Sequence, residues 1–242
     1  MSSIVKLLWA VSTLCEAVPL GQSLLSTPSS SDGRPSIYNS AVMARRIMHL
    51  SSIGTLVTTF PPASDEASVE ETRPDSVAGS PIGLMEYFAD CEPESGNPTL
   101  LAINLASPYK NYASGSKISL HIRWWPIQTK HYPIAEESDD IPTPHTPAAL
   151  PRFSLHGRLE DIPQDEVRDK SIDKCFLKSH PDSQLWQPGN DIHTSKYVRF
   201  VVEQVYWFGG FGDRARILWL PMDVWRNVTM QEIEKVRLPG EE

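Results

Sequence analysis

The chain has 242 residues, 40% of them hydrophobic and 21% charged, enough for one sizeable core and too apolar for global disorder. Its formal charge of −8 argues against unspecific binding to nucleic acid or to anionic lipid, both of which need a basic face. The 21 prolines, about twice the share expected from average usage, gather outside the apolar runs and mark long irregular segments.

Residues 1–17 read as a secretory signal peptide. Lys6 supplies the positive start, residues 7–14 (LLWAVSTL) a short apolar stretch, and Cys15-Glu16-Ala17 a small residue suited to cleavage. That stretch falls far short of the ~20 residues that span a bilayer, and no other segment is long enough, so no membrane span is expected. Residues 18–36, rich in Ser, Pro and Gly with no apolar period, read as a mobile leader, and the folded domain is expected over 37–238.

Asn39 or Ser40 is expected to cap a helix that buries Ala41, Ala44, Ile47, Met48 and Ser51 and turns Arg45, Arg46 and His49 to solvent. Strands follow at 55–60, 81–90 and 99–106, then a short helix at 108–114. A further strand at 117–125 has the cleanest alternation in the chain, Ile118, Leu120, Ile122 and Trp124 against Ser119, His121 and Arg123. Residues 61–79 and 126–151 are acidic and contain proline, so they read as loop insertions. After a strand at 152–161, residues 165–186 read as helical until Pro181 breaks them. Residues 196–221 form the densest β-branched and aromatic run and read as a hairpin. Val198, Phe200, Val202, Tyr206 and Phe208 share one face, interrupted by Gln204, and Gly209, Gly210 and Gly212 make the reversal. A last short helix starts at Pro221. Six or seven strands with no βαβ alternation give a mainly β (α+β) fold.

Cleavage of the leader would leave Cys91, in a turn-like segment, and Cys175, in a helical one. Two cysteines are too few for a disulfide-built scaffold and the length makes one unnecessary, so they are expected to stay unpaired.

Four stretches stand out in this order and spacing: ARRIMHLSSIGTLVTT (44–59), GSPIGLMEYFAD (79–90), FLKSHPDSQLW (176–186) and YWFGGFG (206–212). On them the chain resembles the CREG family of secreted glycoproteins, part of the wider superfamily of pyridoxamine-phosphate-oxidase-like flavoproteins. The resemblance implies a six-stranded antiparallel split β-barrel with peripheral helices, assembled as a homodimer. The departures are the two long loops and Ile53, where an aromatic residue is common.

Flavin-using relatives carry a pattern like Asn-Leu-Gly-Ser-Arg-Lys at the end of the third strand, because a buried phosphate dianion needs cations or aligned N–H donors. Here the residues are Asn104-Leu105-Ala106-Ser107-Pro108-Tyr109, and the second strand offers Glu86 where a Lys is expected. If FMN binds, Ser107 and Lys110 are the candidate contacts. Otherwise Ser107 is simply a helix N-cap before Pro108. The seven histidines, at 49, 121, 131, 145, 156, 180 and 193, show no metal-ligand spacing and read as exposed or loop residues. No nucleophile elbow or phosphate loop is present, so no catalytic residue is assigned. Asn227-Val228-Thr229 is a glycosylation sequon.

The expected function is that of a glycoprotein of the secretory pathway, extracellular or in a vacuolar or lysosome-like compartment. Its barrel would serve as a non-catalytic dimeric module for an unknown protein or small-molecule ligand, without tight FMN binding. The competing reading is an FMN-dependent oxidoreductase with flavin at the dimer interface.

Overall fold

The structure is a computed structural model that describes residues 34–62, 73–126, 147–190 and 193–241. The signal peptide, nearly all of the leader and most of the two loop insertions lie outside the described residues.

Seven strands are described: β1 (Ile53–Thr59), β2 (Pro81–Ala89), β3 (Thr99–Ile103), β4 (Ile118–Arg123), β5 (Arg152–Asp161), β6 (Ser195–Gly209) and β7 (Arg216–Leu220). They pair in the order β3-β2-β1-β4-β5-β6-β7, every pair antiparallel. A second pairing of β3 with β6 closes the first six strands into a barrel and leaves β7 as a flap on β6. The expected strands at 55–60, 81–90, 99–106, 117–125 and 152–161 correspond to β1 through β5. β3 stops at Ile103, short of the expected end, because the chain turns at Asn104 and enters a helix. Inward residues such as Leu56, Phe88, Leu100, Leu120, Leu155 and Phe200 are fully buried, each contributing roughly 1.5–3 kcal/mol by leaving water.

β6 does not keep one alternation along its length. Gly157 pairs with Val202 but His156 pairs with Gln204, so Glu203 is an extra residue and β6 carries a β-bulge. The inward set therefore changes from Val198, Phe200 and Val202 to Val205 and Trp207. This corrects the single face expected through Tyr206 and Phe208: both fall outside the barrel, and Tyr206 is 37% exposed. The bulge also explains Gly157, since a Cβ there would lie 1.9 Å from the Val201 carbonyl oxygen. Beyond β6, Gly210 (φ 92) and Gly212 (φ 60) make the reversal into β7 in the left-handed region that favours glycine.

One barrel end is plugged by α1 (Ile37–Leu50), together with α5 (Met222–Arg226) and α6 (Met230–Lys235). The α1 cap is Ser36, before the expected Asn39 or Ser40, and its Oγ accepts from the Asn39 N–H at 3.0 Å. Ala41, Ala44, Ile47 and Met48 are buried as expected. Arg45 is buried too, contrary to its expected solvent position. Its Nη1 donates to the Trp225 carbonyl at 3.0 Å, Nη2 donates to the Pro93 carbonyl, and the guanidinium lies 5.3 Å from the Trp225 ring centroid. Burial pulls its pKa down, and nearby Asp90 and Glu94 oppose that shift.

The other helices are α2 (Ser107–Ala113), α3 (Gln164–Asp169) and α4 (Ile172–Ser179). The single helix expected over 165–186 is two helices, broken at Ser171 (φ 52), followed by a 3₁₀ segment at Pro181–Trp186. They cover a second core outside the barrel, built on Ala89, Leu101 and Tyr197 with Ile172 and Phe176. His180 belongs here and is buried, not exposed: its Nε2 meets the Phe88 carbonyl at 2.9 Å and its ring stacks on Tyr87 at 4.1 Å. A Cys91–Cys175 disulfide (S–S 2.09 Å, Cα–Cα 5.7 Å) ties α4 to the end of β2, correcting the expectation of unpaired cysteines. Arg199 crosses the edge of this core and pairs with Glu92, Glu160 and Glu166.

Gly157→Ala forces the Val201 carbonyl to move and is expected to lower stability by about 2 kcal/mol or more, in the range of overpacked sites. Urea unfolding followed by Trp fluorescence checks it, and an unchanged midpoint would contradict the close approach.

Candidate functional site

At the barrel end opposite α1, the chain leaves β3, turns at Asn104 and enters α2, which packs against β1 and β2. Pro108, Tyr109 and Asn111 are the buried residues of this helix. Asn111 Nδ2 donates to Thr58 Oγ1 at 3.1 Å, and the Tyr112 hydroxyl accepts from the Leu159 N–H at 3.1 Å, so α2 is fixed to two sides of the barrel. Between α2 and strands β3, β5 and β6 an open cleft of about 500 Å³ remains. Its lining includes Ala102, Tyr109, Tyr112, Leu159 and Val198, with Lys110, Lys196 and Asp161 among its charged residues. Lys196 Nζ and Asp161 Oδ2 are 2.7 Å apart.

The candidate residues from the sequence separate here. Lys110 lines the cleft, whereas Ser107 does not. Nor is Ser107 the helix cap. The cap position is Ala106, with no side-chain cap hydrogen bond, and Ser107 is the first helical residue. Asn227 is far from the cleft in sequence and is exposed at the end of α5, while Thr229 closes a capping box with Glu232 that starts α6.

What the sequence did not show is that two of the three residues replacing expected cations meet. Tyr109 of α2 and Glu86 of β2 lie close enough to shift each other, although the Tyr109 hydroxyl is buried without closing a hydrogen bond of normal geometry. Burial raises the Glu86 pKa to about 7; the Tyr109 hydroxyl and the Tyr87 N–H, which donates at 3.1 Å, hold it down in part. Burial, with the Glu86 charge added, pushes the Tyr109 phenol well above its ordinary value. A carboxyl and a phenol thus stand where flavin-using relatives are expected to place cations. As an anchor for a phosphate dianion this set is poor, because its ionised form is negative and its neutral form supplies no charge. No step through flavin is derived from it.

Among the described residues, no three His, Cys, Asp or Glu side chains are grouped so that they could hold a metal ion, and no helix is long and apolar enough to cross a membrane.

The family model described as "CREG, beta-barrel" matches residues 35–227. No curated protein matches the chain. Among solved structures, a heme binding protein from Mycobacterium smegmatis is similar with a TM-score of 0.51 and 21% identity, over 80% of this chain and 61% of that one. The chain therefore spans less than two thirds of that protein's length, and the likeness is one of fold. A protein of the pyridoxinephosphate oxidase family from Clostridium acetobutylicum, related to general stress protein 26 of B. subtilis, has a TM-score of 0.43 and 11% identity, over 77% of this chain and 96% of that one.

The sign of the Glu86 shift gives a test. Its pKa is about 7 folded against 4.5 unshifted, so the folded state holds the proton more tightly. The stabilisation is full below about pH 4.5 and is lost as pH rises toward 7. Wild type is expected to lose roughly 1–3 kcal/mol more than Glu86→Gln between pH 5 and 7.5. Chemical denaturation of both proteins across this range checks it; parallel pH profiles would contradict the shift.

Proposed function

The chain belongs to the CREG β-barrel family, and from that premise we propose that it is a secretory-pathway glycoprotein whose split barrel is a dimeric binding or structural module without flavin catalysis. The observation that carries this reading is the Glu86–Tyr109 pair in place of the cations a flavin phosphate requires. The N-terminal pattern of Lys6, the 7–14 apolar run and Ala17 supports entry into the secretory pathway, with an extracellular or vacuolar, lysosome-like destination. The exposed Asn227 of the sequon supports glycosylation.

Dimerisation has support on the outer barrel face. The pairings place Met85, Thr55, His121, Ser154, Tyr206 and Trp219 in one row across β2, β1, β4, β5, β6 and β7. Met85 is 63% and Trp219 54% exposed, with Ile53 and Ile217 also exposed on this side. Exposed large apolar side chains at the two ends of this row, on either side of Thr55, His121 and Ser154, favour burial against another surface, and a second copy is the partner the family reading supplies. The second reading, an FMN-dependent oxidoreductase, draws its support from Lys110 at the cleft.

The protein secreted from a eukaryotic host is expected to be colourless, to retain no flavin absorbance after incubation with FMN and gel filtration, and to have a dimeric native mass. Glycosidase should increase its gel mobility, and Asn227→Gln should abolish that increase. Retained stoichiometric FMN would overturn the non-flavin reading.

A further inference from the structure

We propose that the cleft between α2 and strands β3, β5 and β6 binds a small, neutral, largely apolar molecule. This deepens the binding-module reading and rests on it. The volume of about 500 Å³ falls within the range of small-molecule sites. Ala102, Ala113, Leu159 and Val198, with the ring of Tyr112, give the cleft an apolar wall, and an apolar body gains by leaving water for such a wall.

The ligand's charge is decided by how the polar lining is already used. Lys196 Nζ and Asp161 Oδ2 lie 2.7 Å apart, so an anion drawn to the lysine meets the carboxylate beside it, and a cation meets the converse. Lys110 is engaged in an interaction of its own. The Tyr109 hydroxyl is paired with Glu86. The Tyr112 hydroxyl accepts from the Leu159 N–H at 3.1 Å, and Ser195 Oγ donates to the Trp186 carbonyl at 2.8 Å. Asn104 and Thr194 complete the polar side chains of the lining, and both are neutral. A charged ligand would therefore give up water without meeting an unopposed counter-charge, a cost that a neutral one does not carry. Shape and apolar area are left to select the ligand.

The probes are N-phenyl-1-naphthylamine and 1-anilinonaphthalene-8-sulfonate, which share their rings and differ in the sulfonate. Fluorescence titration of the purified protein is expected to show saturable binding of one neutral probe per protomer, with the sulfonate probe weaker by about tenfold or more. Asp161→Asn leaves Lys196 unopposed, so it should tighten the sulfonate probe and leave the neutral one unchanged. Ala113, exposed where it lines the cleft, becomes a plug in Ala113→Trp, which should abolish neutral binding while thermal melting stays at the wild-type value. The smaller plug of Ala113→Leu should weaken it. Absence of saturable neutral binding, or neutral binding that survives Ala113→Trp, would overturn the proposal. So would a sulfonate probe that binds as tightly as the neutral one, or that gains nothing in Asp161→Asn. The two readings fail separately: FMN retained through gel filtration overturns the non-flavin function whatever the probes do, whereas a cleft that takes up no neutral probe overturns this site alone.

Discussion

The close approach of the Gly157 backbone to the Val201 carbonyl is the constraint from which the rest of the barrel follows. It admits one extra residue, Glu203, into β6, and so lets both halves of that strand face the same core. The first half pairs with β3 and closes the barrel; the second half pairs with β7. Without the inserted residue, one half would turn its apolar side chains outward. Trp207, placed inside by the bulge, packs 6.2 Å from the Phe153 ring, which in turn lies 6.3 Å from Trp225. That aromatic chain leads to the buried Arg45 of α1, whose guanidinium lies over the Trp225 ring. On the outside, the same shift sets Tyr206 beside Trp219, with ring centroids 5.0 Å apart.

Much of the scaffold was legible because strand burial has a period of two that side-chain type reports directly. β4 and β5 were readable in this way, and so were the hairpin and its glycine turn. The bulge was not, since one inserted residue changes the face without changing composition, and Tyr206 and Phe208 are as apolar as Val205 and Trp207. The disulfide was hidden for a different reason: the two cysteines are 84 positions apart and meet only when α4 docks on the end of β2. Arg45 reads as a surface residue by type. What makes its burial tolerable is two backbone carbonyls from distant segments, which no local pattern reveals.

The candidate site was half legible. The family pattern marked Pro108, Tyr109 and Glu86 one by one as departures from a phosphate anchor, and it singled out Ser107 and Lys110 as candidate contacts. Only the fold shows that Tyr109 and Glu86 face each other and that Ser107 neither caps α2 nor reaches the cleft. The two barrel ends thus contrast. The α1 end is filled by aromatic rings and an arginine held by two backbone carbonyls, whereas the α2 end keeps an open cleft beside a carboxyl–phenol pair. The Glu86–Tyr109 pair gives the barrel a carboxyl whose pKa, raised to about 7, leaves it mostly neutral at acidic pH.

The protonation state of the Glu86 carboxyl separates a phosphate anchor from what this barrel holds at its α2 end. Carbon-13 NMR of the Glu86 side-chain carboxyl, assigned by loss of its signal in Glu86→Gln, measures it directly through a pH titration. The predicted midpoint is about 7, moving higher in Tyr109→Phe because the phenol that favours the carboxylate is gone. A midpoint near the unshifted 4.5 in both proteins would contradict the raised carboxyl beside Tyr109.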